Sequence, residues 1–189
     1  PNYKESYNER IRNSEEFKKF RKSYNIEVDH LKDALNNVIT KNAPLNVEEL
    51  LEHSLQIAAD VNGHVHLLDM LHNMREYDDS TFSHCLNVGL ICYIFANWLK
   101  LSQEEVELAT ACGLLHDIGK LLISIDIIQK PGKLTEEECH EMKKHPAAGY
   151  KLLVSQHVDE NIFNTALMHH ERCDGSGYPF NLKENQINK

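Results

Sequence analysis

Glycine and proline are scarce in the first two thirds of this 189-residue chain, where only Pro1 and Pro44 precede Pro131. Strict polar–apolar alternation is missing as well, so strands have little support. Long hydrophobic runs are absent: the longest lies within Val88–Leu99 and is interrupted by Asn97, well short of the ~20 residues that a membrane span needs. No secretory leader opens the sequence, and with Pro1 in first place an upstream sensory or membrane segment stays open. The five cysteines are an odd number with no CxxC pair, which argues against a disulfide framework or a zinc knuckle and for a reducing, cytoplasmic setting. Positive charge is short too. Twenty Lys and Arg against 29 Asp and Glu give a formal charge of −9, which disfavours a binder of polymeric nucleic acid or of an anionic membrane surface. A small anionic ligand remains compatible, because a local metal or a few placed cations can override the global field.

What is present is helical periodicity. Apolar residues recur at three and four, which predicts an all-α fold with one compact core and some additional helix. Phe17, Phe20, Tyr24, Leu31, Leu35 and Val38 form one stripe on a first helix of roughly 14–40. The stripe packs on the chain's own core or, alternatively, forms a connector or homodimer seam. Lys41 to Leu45 is a break. Asn46 with Glu49 starts a helix that stops at Asn62-Gly63, and His64–Arg75 reads as the next. Leu86, Leu90, Ile94, Phe95, Trp98 and Leu99 are expected to bury a helix from Thr81 onward, closed by Lys100. Ser102 begins a helix with Glu104 and Glu105 near its positive end, and that helix terminates around Gly119. After the Pro131-Gly132 turn, Thr135 with Glu138 forms a capping box. Pro146 then opens a helix over Ala147–Ser155, and a short helix over Asn161–His170 precedes an irregular loop, Asp174–Pro179.

The chemistry gathers at five of the twelve histidines: His84, His116 with Asp117, His145, and the pair His169-His170. Each lies on or at the end of a different expected helix, apart from the adjacent pair, so a bundle can aim all of them into one cavity. Imidazole with carboxylate suits Fe, Mn or Zn, and a shared Asp can bridge two ions. Taken singly, a helical histidine is more often hydrogen-bonded structure than ligand, and a His-Asp pair is also a common orienting arrangement. The conjunction of HDIGK, KKHP and HHERCDGSGYP in this order carries the metal reading. The cysteines are read as buried packing groups, with Cys173 the one whose exposure matters.

His116-Asp117-Ile118-Gly119-Lys120 resembles the signature of the HD superfamily of metal phosphohydrolases, and His169 to Pro179 is similar to the motif of the HD-GYP family. The resemblance covers roughly Met74 to the end. It implies an HD-type helical bundle over 67–189 with an N-terminal helical extension or connector over 1–66. It further implies hydrolysis of a cyclic dinucleotide such as cyclic di-GMP by a hydroxide generated between two divalent metal ions, Fe or Mn ahead of Zn. Carried over by position, His84, His116 and Asp117 hold one ion, and Asp117 bridges to a second held by His145, His169 and His170. Lys120 then neutralises a phosphate, making Asp117 and Lys120 the catalytic pair. Arg172, Asp174, Gly175, Gly177, Tyr178 and Pro179 form the substrate loop, which also suits a signalling-protein partner.

Two positions depart from the family. A Glu one helical turn before the first histidine, which enables a third ion in some members, is Ser80 here; Asp78 and Asp79 sit at the wrong helical phase to replace it, so two ions are expected. The family pattern also continues past NLKENQI to an Asp that completes the first ion's shell, whereas this sequence stops at Lys189, so the domain is expected to lack its C-terminal part. A weakly catalytic nucleotide-sensing or protein-interaction module is therefore the alternative to the enzyme. A generic HD nucleotidase would leave the GYP loop unexplained.

Overall fold

The computed structural model describes residues 5–74 and 80–188. Among the described residues ten α-helices follow one another and there is no strand, only one isolated bridge between Asp174 and Lys183. The all-α expectation holds. No helix among the described residues is long and apolar enough to cross a membrane.

The helix expected over 14–40 is present, and a short helix that the periodicity did not show precedes it. Helix α1 (Tyr7–Asn13) ends where Ser14 turns extended and caps α2 (Glu15–Lys41), its hydroxyl accepting from the Phe17 N–H. Asn42 takes the left-handed conformation that closes α2, a role its short polar side chain tolerates. The stripe of Phe17, Phe20, Tyr24, Leu31, Leu35 and Val38 is buried within the chain itself. Most of these residues belong to a cluster that continues through Leu67, Met70, Leu86, Leu90, Ile94 and Leu114. The Tyr24 hydroxyl adds a polar tie, lying 3.0 Å from both the Ser83 carbonyl oxygen and Asn87 Oδ1.

Helix α3 (Val47–Ala59) starts at the expected Asn46 cap, and α4 (His64–Met74) follows after the Gly63 turn. Arg75, Asp78 and Asp79 lie outside the described residues. Helix α5 (Thr81–Trp98) is capped by Ser80, and α6 (Gln103–Leu115) opens on a complete capping box between Ser102 and Glu105. These two helices cross where Gly89 meets Gly113. One expectation fails on α5: Phe95, Trp98 and Leu99 are exposed at 52%, 45% and 70%. The helix is apolar around its whole circumference, so periodicity could not say which side faces the core; the packed side carries Leu86, Leu90 and Ile94.

The chain past Leu115 is more broken than expected. His116 caps α6, and a 3₁₀ turn over Ile118–Leu122 replaces the continued helix. A single-turn α7 (Ile125–Ile128), α8 (Glu136–Met142), α9 (His145–Ser155) and α10 (Glu160–Met168) follow, with Thr135–Glu138 forming the expected box. Gly119 determines how α9 docks. A Cβ there would overlap the His145 carbonyl oxygen and stand 2.6 Å from Gly149 N, so only glycine lets the 3₁₀ turn lie flat against the start of α9. The cysteine reading needs correction: only Cys85 is buried, Cys92 and Cys112 are half-buried, and Cys139 and Cys173 are exposed, because the last two sit on a short surface helix and a loop with no apolar layer above them.

Candidate metal centre

Four stretches of chain converge on Asp117. The Asp117 side chain is almost fully buried, and its two oxygens divide the surrounding imidazoles between them. Oδ2 faces His84 Nε2 at 3.3 Å and His116 Nε2 at 3.2 Å. Oδ1 faces His145 Nε2 at 3.2 Å and His169 Nε2 at 3.3 Å. Two groups of donors result, one of His84, His116 and Asp117 and the other of Asp117, His145, His169 and His170.

The tautomers are fixed from behind. His116 Nδ1 lies 2.7 Å from the Gly113 carbonyl oxygen, His145 Nδ1 2.7 Å from that of Met142, and His169 Nδ1 2.9 Å from that of Ala166. In each case the carbonyl is three residues earlier, at or near a helix end where it has no partner along the helix. An Nδ1–H donated to that carbonyl leaves Nε2 as a bare lone pair. His116 Nε2 lies 3.3 Å from His84 Nε2, and the lone pairs of His145 and His169 meet at 3.2 Å. Two acceptors at that distance repel unless a cation lies between them. The same spacing is the ligand-to-ligand edge of a tetrahedral shell with bonds of ~2.0–2.1 Å, about 3.3 Å. Asp117 Oδ1, moreover, is buried with no hydrogen-bond partner, a costly state for a carboxylate oxygen unless a cation satisfies it. The residues therefore fit divalent metal at Asp117, which stands between two groups of donors.

Electrostatics agree with ligand duty. His170 is pushed down to about 4, first by burial and then by neighbouring His169 and His145, so it is neutral near pH 7.

Lys120 reaches Asp117 Oδ2 with its Nζ at 2.7 Å. It also lines, with His84, a cavity of about 660 Å³ whose wall includes Asn36, Ser80, Thr81, Phe82 and Met142, a size suited to a small-molecule ligand. Ser80, at the position of the missing Glu, has two parts to play here, capping α5 and lining the cavity.

The GYP loop splits in two. Tyr178 lies flat on His170, ring centroids 4.5 Å apart and 19° between planes, with Lys143 Nζ 5.4 Å from its ring centroid. Tyr178 thus supports a histidine of the centre. Gly177 permits the fold-back, since a Cβ there would stand 2.5 Å from His170 O, Arg172 N and Glu171 Cα. Pro179 follows through a cis bond. Gly175, at φ +78°, makes the turn by which Asp174 Oδ1 accepts from the Ser176 N–H at 2.9 Å. Arg172 and Asp174 face solvent and pair loosely with each other at 3.7 Å; neither is among the residues brought together at the centre.

Sequence reasoning passed over three residues. The Glu171 carboxylate accepts from the Phe180 N–H at 2.6 Å and the Leu182 N–H at 2.8 Å and so fixes the loop; the available signal was an acid inside a motif whose loop amides had no other partner. Lys143 was visible only as part of KKHP. Asn36 reaches the cavity from α2 and had no signal at all.

Residues 49–188, nearly three quarters of the chain, match the family described as HD domain. The chain belongs to the HD domain family. The resemblance to HD-GYP proteins is borne out by relatives of the chain. It is 38% identical over 133 residues to a cyclic di-GMP phosphodiesterase of Pseudomonas aeruginosa, covering 70% of this chain and 32% of that protein. A 3'3'-cGAMP-specific phosphodiesterase of Vibrio cholerae is 35% identical over 109 residues, covering 57% of this chain and 21% of the relative. Among solved structures, an HDG"Y"P protein from Bdellovibrio bacteriovorus shares the fold with a TM-score of 0.67 at 18% identity, over 93% of this chain and 57% of that one. The chain spans about a third or less of the length of these curated relatives.

Proposed function

We propose that this HD domain hydrolyses a cyclic dinucleotide, cyclic di-GMP or a relative such as 3'3'-cGAMP, in a cytoplasmic setting. The observation that carries the proposal is the convergence of two groups of imidazoles on one buried carboxylate, Asp117, beside a cavity sized for the ligand. His84, His116 and Asp117 would hold one ion, and Asp117, His145, His169 and His170 the other. Imidazole and carboxylate donors suit Fe, Mn or Zn, and the resemblance to HD-GYP proteins puts Fe or Mn ahead of Zn. Once held, the ions supply Lewis acidity toward phosphate and a water of lowered pKa. Asp117 orients both halves of the site, and Lys120 brings the cation that offsets charge gathering on the phosphoryl oxygens. Tyr178 keeps His170 in place, while Arg172, Asp174, Gly175, Gly177 and Pro179 shape the outer loop, where substrate or a signalling partner would touch. Residues 67–189 carry this site and 1–66 serve as the extension; a homodimer through the first helix would have to use a face of α2 other than its buried stripe.

A second reading, a nucleotide-sensing module, is favoured by the uneven donor sets, three residues in one group and four in the other. One experiment separates the two: turnover of cyclic di-GMP and 3'3'-cGAMP by anaerobically purified protein, with elemental analysis and a His116→Ala control. About two ions per chain with His116-dependent product release supports the enzyme. Metal and nucleotide bound with no product, in the chain and in a C-terminally extended form, would sink it in favour of sensing.

A further inference from the structure

A third group of metal-type donors lies outside the HD centre and shares no residue with it: Glu27, His30 and His53. Glu27 and His30 stand three apart on α2, on one face of the helix, and His53 comes from α3, which packs against α2. Glu27 is 4% exposed, in a helix where a carboxylate at a core position is costly unless its charge is met. Its Oε1 is buried without any hydrogen-bond partner. Its Oε2 faces two imidazole nitrogens, His30 Nδ1 at 3.4 Å and His53 Nδ1 at 3.7 Å. Both separations are too long for good hydrogen bonds. They lie close to the ligand-to-ligand edge of a tetrahedral shell, about 3.3 Å for bonds of ~2.0–2.1 Å.

The two rings stand 5.1 Å apart between centroids and are about half exposed at their edges, so an ion has a route in from solvent. Both histidines also border a cleft of about 370 Å³ whose polar wall includes Asp33, Asn37, Asn46 and Glu49. A Glu-x-x-His pair on one helix with a histidine from its neighbour is a donor set for a borderline divalent ion, with a fourth position left to water or to a ligand in the cleft.

We infer that Glu27, His30 and His53 form a separate binding site for a transition-metal dication such as Zn²⁺, which clamps α2 to α3. Held there, the ion meets the charge of the Glu27 carboxylate, which burial alone disfavours, and joins the N-terminal helices to the first helix matched by the HD family. The site stands apart from the phosphodiesterase reading and can fail without it.

The test is Zn²⁺ binding to the full chain by equilibrium dialysis with elemental analysis, beside His53→Ala, His30→Gln, Glu27→Gln and Asp117→Asn. Circular dichroism checks that each variant is folded; the two histidine variants change half-exposed groups, so they keep the test valid if Glu27→Gln does not fold. The expected result is that His53→Ala and His30→Gln each hold one Zn²⁺ fewer than the unaltered chain, while Asp117→Asn keeps that equivalent and loses others. Unchanged zinc content and affinity in both histidine variants, or loss of this equivalent along with the rest in Asp117→Asn, would overturn the assignment.

Discussion

Asp117 meets four imidazoles with two oxygens, and what it offers them is charge rather than shape. Asp117→Asn keeps the outline and removes the charge both donor groups share. Expected is loss of both ions and a fall in hydrolysis beyond the roughly 10–100-fold that removal of an outer partner costs, read by elemental analysis and turnover. Tyr178 is such an outer partner through its ring. Tyr178→Phe should hold metal normally, whereas Tyr178→Ala should weaken the His145–His169–His170 group by about tenfold; equal behaviour of the two would mean that the stack on His170 has no part in metal retention. His170 also gives a pH signature in metal-free protein. Its folded pKa of about 4 lies below the ordinary value of 6.5, so between those values the unfolded chain binds the extra proton. Stability should therefore fall as pH drops through that window and level off below it. Urea melts of the unaltered chain and of His170→Gln across the window check this, the variant showing the shallower slope.

Helix ends were legible because they depend on local chemistry. Asn46–Glu49, Ser102–Glu105 and Thr135–Glu138 could be read as caps without knowing the fold, and all three cap helices. The converging histidines were legible through motif order rather than spacing, since chain separations such as that between His116 and His145 say nothing about distance in space. Three features were not legible. Helix α1 spans seven residues and buries only Ile11, too little for an apolar period to show. The exposed side of α5 is as apolar as its buried side. Gly119 reads as a helix stop, whereas its effect is on packing: without a side chain it lets the turn that follows Asp117 touch the start of α9 and so sets where His145 stands. Gly119→Ala must therefore push backbone away from backbone, which flexible side chains cannot absorb. Expected is destabilisation at or above the usual 1–3 kcal/mol of overpacking, with metal loss concentrated in the group containing His145. Gly132→Ala is the comparison, because a Cβ there meets nothing within 4 Å and only its φ of +99° is strained. Denaturant melts and metal content of the pair separate loss of docking from turn strain.

At the scale of the whole molecule, the question is whether the helices before residue 49 are an attachment or a wall of the same building. The family match begins at that residue, inside α3. Yet Phe17, Phe20, Tyr24, Val28, Leu31 and Leu35 are buried in one cluster with Leu86, Leu90 and Ile94 of the helix that carries His84, and Asn36 lines the cavity beside Lys120. Burial of a large apolar side chain stabilises by ~1.5–3 kcal/mol, so these six together contribute on the order of 10 kcal/mol, comparable to the whole ~5–15 kcal/mol by which domains are stable. A chain of residues 49–188 should then expose the face of α5 that α2 covers and bind a hydrophobic dye. It should lose its cooperative thermal transition, and with it the metal that needs His84 in register. Calorimetry, dye fluorescence and metal analysis of the shortened and full chains decide the matter. If the shortened chain melts cooperatively within a few degrees of the full one and keeps its ions, the N-terminal helices are a connector whose apolar stripe is free to serve another surface.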